Sequence, residues 1–263
     1  MANLATAPQS IGGVLDTGFR LFSTSLKQVF LLAAANALLF APLTAMTRSA
    51  FVEGGSGAIG RLVVTGILLV IVALVVWGAI LVRLDAAAHD RTVQVGEAFA
   101  IGLRRAPALI ISGVLYSCAS VLGLALLIPG LVIMVYWVFG PIATVTESLG
   151  AIASLGYSFK LVRGQWWRTT TLLTIISVLA LVIDFLADSV GGLVATIDPL
   201  AQSQVPWYID LIVSQTPWYI DFIVNPLISG VAGPLLYALM LATFYDLQLR
   251  HEGVDLAERI AAT

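Results

Sequence analysis

Charge is scarce in this chain: of 263 residues only 11% are Asp, Glu, Lys or Arg, and the formal net charge is −2. Soluble domains carry about 25% charged residues. Too little polar surface is present to clothe a water-soluble globule, so the second solvent has to be lipid. A net negative chain also argues against a nucleic-acid partner, which needs a basic face. The single cysteine, Cys118, excludes an intrachain disulfide framework and a cysteine-based metal site. The two histidines, His89 and His251, form no metalloprotease-type helix motif. No Gly-x-Ser-x-Gly elbow, no phosphate-binding loop and no paired intramembrane carboxylates are found. No catalytic residue, metal or cofactor is therefore expected. Met1 to Gln9 lack a basic stretch followed by an apolar one, so no cleaved leader is expected and the first apolar run acts as the anchor.

What is abundant is apolar: 59% of residues are hydrophobic, and the mean hydropathy is +0.99. Apolar runs of about 20 residues are long enough to cross a bilayer as helices. They fall near 27–46, 61–83, 107–128, 130–147, 167–188 and 226–246. The expectation is one integral membrane domain over 1–263, all-α, with six transmembrane helices. Pro129-Gly130 reads as a tight turn between the third and fourth spans, and Pro141 and Pro234 should kink the fourth and sixth. Asn36 and Pro42 weaken the first.

Six spans place both termini on one side. That side collects Arg20, Lys27, Arg83, Arg91, Arg104, Arg105, Lys160, Arg163, Arg168, Arg250 and Arg259, whereas the other has only Arg48 and Arg61. Basic residues concentrate on the cytoplasmic side of membrane proteins, so the termini are expected there.

Three segments on the basic side share a spacing of aliphatic residue, Gly, five residues, Gly, bulky apolar residue. They are Ile11-Gly12 to Gly18-Phe19, Val95-Gly96 to Gly102-Leu103 and Leu149-Gly150 to Gly156-Tyr157. In the first, Ile11, Val14, Leu15, Phe19 and Phe22 form one helical face, opposite Asp16, Arg20, Ser23 and Thr24. The pattern reads as amphipathic interfacial helices, each preceding a transmembrane hairpin. Chance glycine placement is the plainer account. A second repeat is tandem: Gln204 to Ser214 recurs as Gln215 to Asn225 with an 11-residue period, which preserves the helical face. Its Trp207, Tyr208, Trp218 and Tyr219 suit an aromatic belt, and the loop 189–225 is expected at the outer boundary.

Ionisable groups within spans mark function by default. Here they are confined to span ends: Glu147 on the basic side, Asp184 and Asp188 on the other. Asp184 and Asp188 stand at i, i+4, where snorkelling is a simpler role than cation binding. Asp85, His89 and Asp90 read as a solvated connector. Asn36, Ser112, Tyr116 and Ser120 read as interhelical hydrogen-bonding positions, and Gly113 with Ser117 as a close-packing pair.

Three stretches carry a family likeness: Ile11 to Arg20; Ile128-Pro-Gly with Gly140-Pro141, Glu147 and Gly164-Gln-Trp-Trp-Arg168; and Phe244-Tyr-Asp-Leu-Gln-Leu-Arg-His-Glu-Gly253. Together they resemble the membrane domain that precedes the catalytic barrel of some bacterial glycerophosphoryl diester phosphodiesterases, and the YciC-like inner-membrane proteins. The resemblance implies fold, topology and a bacterial inner membrane. It does not imply the activity, because the 263 residues hold no His/Glu/Asp set to hydrolyse a phosphodiester. Its aromatic-Asp…Arg signature maps onto Tyr245, Asp246 and Arg250, with Asp246 and Arg250 at i, i+4 as a local helix-end pair.

These readings converge on a non-enzymatic membrane accessory or scaffold protein. Its expected lipid or partner contacts are Arg20, Arg104, Arg105, Arg163, Arg168, Tyr245, Asp246 and Arg250, with Trp207, Tyr208, Trp218 and Tyr219 on the opposite rim. A transporter or channel for a small or lipid-like solute is the alternative. A wet cavity lined by Asn36, Ser112 and Tyr116 would favour it.

Overall fold

The computed structural model describes residues 4, 5, 7–39, 56–124, 128–197 and 224–261. Pro42, Arg48, Asp198 and nearly all of the tandem repeat, including Trp207, Tyr208, Trp218 and Tyr219, lie outside the described residues. The described chain is all-helical: α1 Ile11–Leu38, α2 Ser56–Ala88, α3 Val95–Leu124, α4 Ile128–Trp137, α5 Gly140–Thr146, α6 Ala151–Val162, α7 Trp166–Ile197 and α8 Asn225–Ala261. Six stretches are long and apolar enough to cross a membrane, with α4 and α5 together forming the fourth.

Two of the three Gly-spaced segments are not separate helices. Ser10 caps α1 by accepting from the Gly13 amide at 3.2 Å, and α1 then runs unbroken through the first span. The second segment likewise opens α3. No breaker separates the amphipathic part from the apolar part in α1. In α3 the one proline, Pro107, leaves the helix continuous. Only the third segment stands alone, as α6. Ser148 before it has φ 57°, and Gly164 after it has φ +85°, a conformation that glycine adopts without steric penalty.

The packed face of α1 is a different stripe from the apolar face expected toward the acyl chains, although Val14 belongs to both. Its buried stripe is Val14, Thr17, Gly18, Leu21, Ser25, Val29 and Ala33, while Phe19 faces outward. Small residues win because α1 and α8, the most extensively packed helix pair among the described residues, approach closely. A Cβ on Gly18 would lie 2.6 Å from Leu239 Cδ2. In lipid, where an exposed Phe loses nothing, tight backbone packing selects small side chains. The α2–α3 pair obeys the same rule: a Cβ on Gly102 would sit 2.7 Å from the Val75 carbonyl oxygen.

Pro129 and Gly130 belong to the first turn of α4 and are not the turn itself; proline suits that position because the first amides of a helix have no intrahelical acceptor. Pro141 does more than kink its span. The helix breaks after Trp137 and restarts with Pro141 in the first turn of α5. The Ser158 hydroxyl from α6 repairs the gap by accepting from the Phe139 amide at 3.2 Å and donating to the Tyr136 carbonyl at 2.7 Å. Pro234, by contrast, lies inside an unbroken α8. The α7 helix continues to Ile197, so the first residues of the expected outer loop are helical.

The core is formed by Phe139, Phe244, Leu21, Ile80, Leu81, Leu84 and Leu247 among others. Of the most apolar stretch of α8, 44% is buried, against 11% for α7, which makes α8 the central helix and α7 a peripheral one.

Candidate functional site: a polar layer at the basic end

Where α1 and α7 begin, beside the middle of α8, one carboxylate organises four contacts. Asp246 of α8 is 3% exposed. Its Oδ2 accepts from Arg168 Nε at 3.1 Å, Arg168 Nη2 at 3.0 Å and Arg250 Nε at 2.9 Å. Its Oδ1 accepts from the Gln9 amide at 2.8 Å. The Nη2 groups of both arginines converge on the Gln9 carbonyl oxygen, each at 2.6 Å, and Thr17 Oγ1 donates to Gln9 Oε1 at 2.9 Å. The expected Asp246–Arg250 pair at i, i+4 is present, but inside α8 and not at its end, since the helix runs on to Ala261. It is one edge of a network joining the segment before α1, the start of α7 and α8. A carboxylate this buried needs such partners, because an unpaired buried charge is strongly unfavourable.

Two further clusters continue the layer. Tyr245 donates its hydroxyl to Asp85 Oδ1 of α2. The His89 ring meets Tyr245 edge-on, with centroids 5.5 Å apart. His89 Nδ1 lies 2.9 Å from the Asp85 carbonyl oxygen and 3.4 Å from Oδ1, and the Arg91 guanidinium approaches to 3.7 Å. Asp90 closes α2 at φ 54°. Asp85 is therefore part of the polar layer and not a solvated residue, whereas His89, 42% exposed, and Asp90 remain at the surface as expected of a connector. One helical turn along α8, Gln248 Nε2 donates to Glu147 Oε1 at 2.7 Å and to the Tyr157 hydroxyl at 2.8 Å. Arg105 Nη1 donates to the Ser148 carbonyl at 2.9 Å and ties α3 to the turn before α6.

Of the residues expected to make contacts, the structure brings Arg168, Tyr245, Asp246 and Arg250 together. Arg20, Arg104 and Arg163 are exposed. Gln9, Thr17 and Gln248 were not anticipated, and the sequence singles out Asp85 and Tyr157 only as a connector residue and as part of a glycine spacing. A polar residue on the inward face of an apolar helix is the signal that marks Asp85 and Gln248, since both lie beside buried positions (Leu84, Leu247).

Within the spans, Ser112 is buried and donates to the Leu109 carbonyl of its own helix, not across to another. Asn36, Trp77, Pro141 and Tyr237 line a 370 Å³ cavity; Ser112 and Tyr116 do not. It shares Val70, Leu74 and Gly113 with a 730 Å³ apolar groove between α2 and α3. The Asn36 Oδ1 is buried with no hydrogen-bond partner among the described residues. Asp184 is exposed on α7. Among the described residues no three His, Cys, Asp or Glu side chains are grouped to hold a metal ion.

By helix length and hydropathy this is a multi-pass membrane protein. No family model, curated protein or solved structure matches the chain.

Proposed function

We propose that this protein is a non-enzymatic membrane accessory or scaffold protein that contacts anionic lipid, or a membrane partner, through its basic end. The observation that supports this reading most is the polar layer itself. Within two turns of α8, Tyr245, Asp246, Gln248 and Arg250 bond to α2, the segment before α1, α5 and α6, and share Asp246 with α7. Such a layer holds a rigid face, and Arg20, Arg104 and Arg163, on the same side of the spans by sequence, are exposed. Each Lys or Arg near an anionic surface contributes about 1 kcal/mol of attraction. In this reading the basic end and both termini face the cytoplasm of a bacterial inner membrane, a placement that the charge bias supports, and the likeness to phosphodiesterase membrane domains and YciC-like proteins is one of architecture.

The test is purification in mild detergent with identification of what accompanies the protein. Enrichment of anionic phospholipid, or of one membrane protein, over its share of the source membrane is the expected result. Recovery of the protein with lipid in bulk proportion and no partner would remove the proposal. The cavity beside Asn36, continuous in its lining with the α2–α3 groove, favours transport of a lipid-like solute as the second reading. Flux of a fluorescent lipid across vesicles containing the protein, lost on Asn36→Leu, would favour that reading instead.

A further inference from the structure

A guanidinium has five N–H donors and no acceptor, and two of them side by side match the oxygens of a phosphate. Arg168 and Arg250 both donate Nε to Asp246 and both aim Nη2 at one neutral oxygen, the Gln9 carbonyl, 2.6 Å from each. Neither Nη1 has a protein acceptor among the described residues. Two cations thus face a single carboxylate, leaving one positive charge in excess, and a carbonyl occupies a position where a charged oxygen would be the stronger acceptor. The two arginine side chains retain 18% and 24% exposure, so the site is open on one side. Trp167, 79% exposed beside Arg168, suits headgroup depth. The indole N–H of Trp166 is buried without an acceptor among the described residues.

Gln9 precedes the cap of α1. It is held here by its amide bond to Asp246 and the Thr17 hydroxyl on its side chain, so it can lift without unwinding a helix.

We propose that Arg168 and Arg250 form a latent site for the phosphate group of an anionic phospholipid, capped by the Gln9 carbonyl. The inference rests on the lipid-contact reading above. A phosphodiester oxygen replaces the Gln9 carbonyl between the two Nη2 groups, a second oxygen reaches the Nη1 donors, and its single negative charge balances the excess. The segment at Gln9 is then a cap that competes with lipid.

The experiment is native mass spectrometry of the full chain in detergent, titrated separately with phosphatidylglycerol, phosphatidylcholine and inorganic phosphate. Wild type retains phosphatidylglycerol over phosphatidylcholine. Gln9→Pro, which deletes the amide donor, and Thr17→Val, which deletes the hydroxyl in nearly the same volume, loosen the cap. Each raises phosphatidylglycerol retention up to about tenfold, the equivalent of one good hydrogen bond. Arg168→Lys with Arg250→Lys keeps the charge, loses the forks and brings retention down to the phosphatidylcholine level. If that double variant does not fold, the two cap variants decide alone. Unchanged retention in both cap variants, with wild type still selecting phosphatidylglycerol, overturns the capped site and leaves lipid contact standing. No phosphatidylglycerol preference in any form overturns both. Binding of inorganic phosphate without any lipid preference overturns the lipid as the source of the phosphate.

Discussion

At the basic end, side chains from six helices and the segment before α1 bond to one another, and the backbones approach so closely at Gly18 and Gly102 that no Cβ fits. Toward the other end, α2 and α3 separate around a groove lined by Val63, Ile67, Val70, Gly113 and Ser117. There Leu68, Val121, Leu122, Leu181 and Phe185 face outward. Lipid can substitute for a protein core wherever a side chain needs only an apolar neighbour. It cannot supply the partners that Asp246 or Asp85 require. Residue identity is thus demanding at the basic end and permissive along the α2–α3 groove and the outward faces. Close packing does recur in the far half at Gly123, whose Cβ would lie 2.6 Å from Gly130 Cα. Polar chemistry that depends on particular residues belongs at the basic end.

Asp246→Ala is the largest expected break in that contrast. It strips the shared carboxylate from two largely buried arginines, which costs about 3–5 kcal/mol for a broken buried pair. Asp184→Ala, at the exposed far-half carboxylate of α7, should stay within about 0.5 kcal/mol. Thermal unfolding of the two variants in one detergent measures the difference. Equal midpoints would show that the polar layer is incidental to folding.

Packing gives the next contrast. Gly102→Ala places its Cβ 2.7 Å from the Val75 carbonyl oxygen, a backbone atom that cannot step aside, whereas Gly113→Ala meets nothing within 4 Å. Overpacking of the first kind costs about 1–3 kcal/mol. The second should be neutral or slightly stabilising, since alanine is the better helix former by about 1 kcal/mol. Destabilisation of similar size at both positions would mean that the far-half groove is closed in the folded protein.

Six spans and the gathering of basic residues at one end were legible because both follow from runs of about 20 apolar residues and the charges that punctuate them. Rotation and register between helices were not. Arg168 and Asp246 lie 78 residues apart and meet only because α7 and α8 pack side by side; no periodicity in either helix encodes that. Asp246 and Arg250 were singled out at i, i+4, yet Gln9, which completes the cluster, lies in a stretch with no pattern at all. In lipid a large apolar face need not be the packed one: Phe19 faces outward, as an acyl-facing position would, and the narrow packed stripe of Gly18, Ser25 and Ala33 was not flagged by any pattern. Pro141 signalled distortion, but a full break depended on Ser158, 17 residues further on and in another helix, to satisfy the freed backbone.

The smallest effect is the sharpest probe of the far half. Cys118, the single cysteine, is exposed and lines the α2–α3 groove with Val63, Ile67 and Val114. In water a thiolate is the nucleophile that attacks maleimide, and neither water nor a water-borne charged reagent enters hydrocarbon readily. In sealed membranes Cys118 should resist a charged, impermeant maleimide, and it should also react slowly with a small permeant one. After denaturation it should label fully with both. Cys118→Ser should change stability by less than about 0.5 kcal/mol, as surface substitutions do. Rapid labelling by the charged reagent in intact membranes would place water in the groove. The contrast between a lipid-filled half and a polar-locked half would then give way to a wet pathway leading toward Asn36, which is what the transport reading requires.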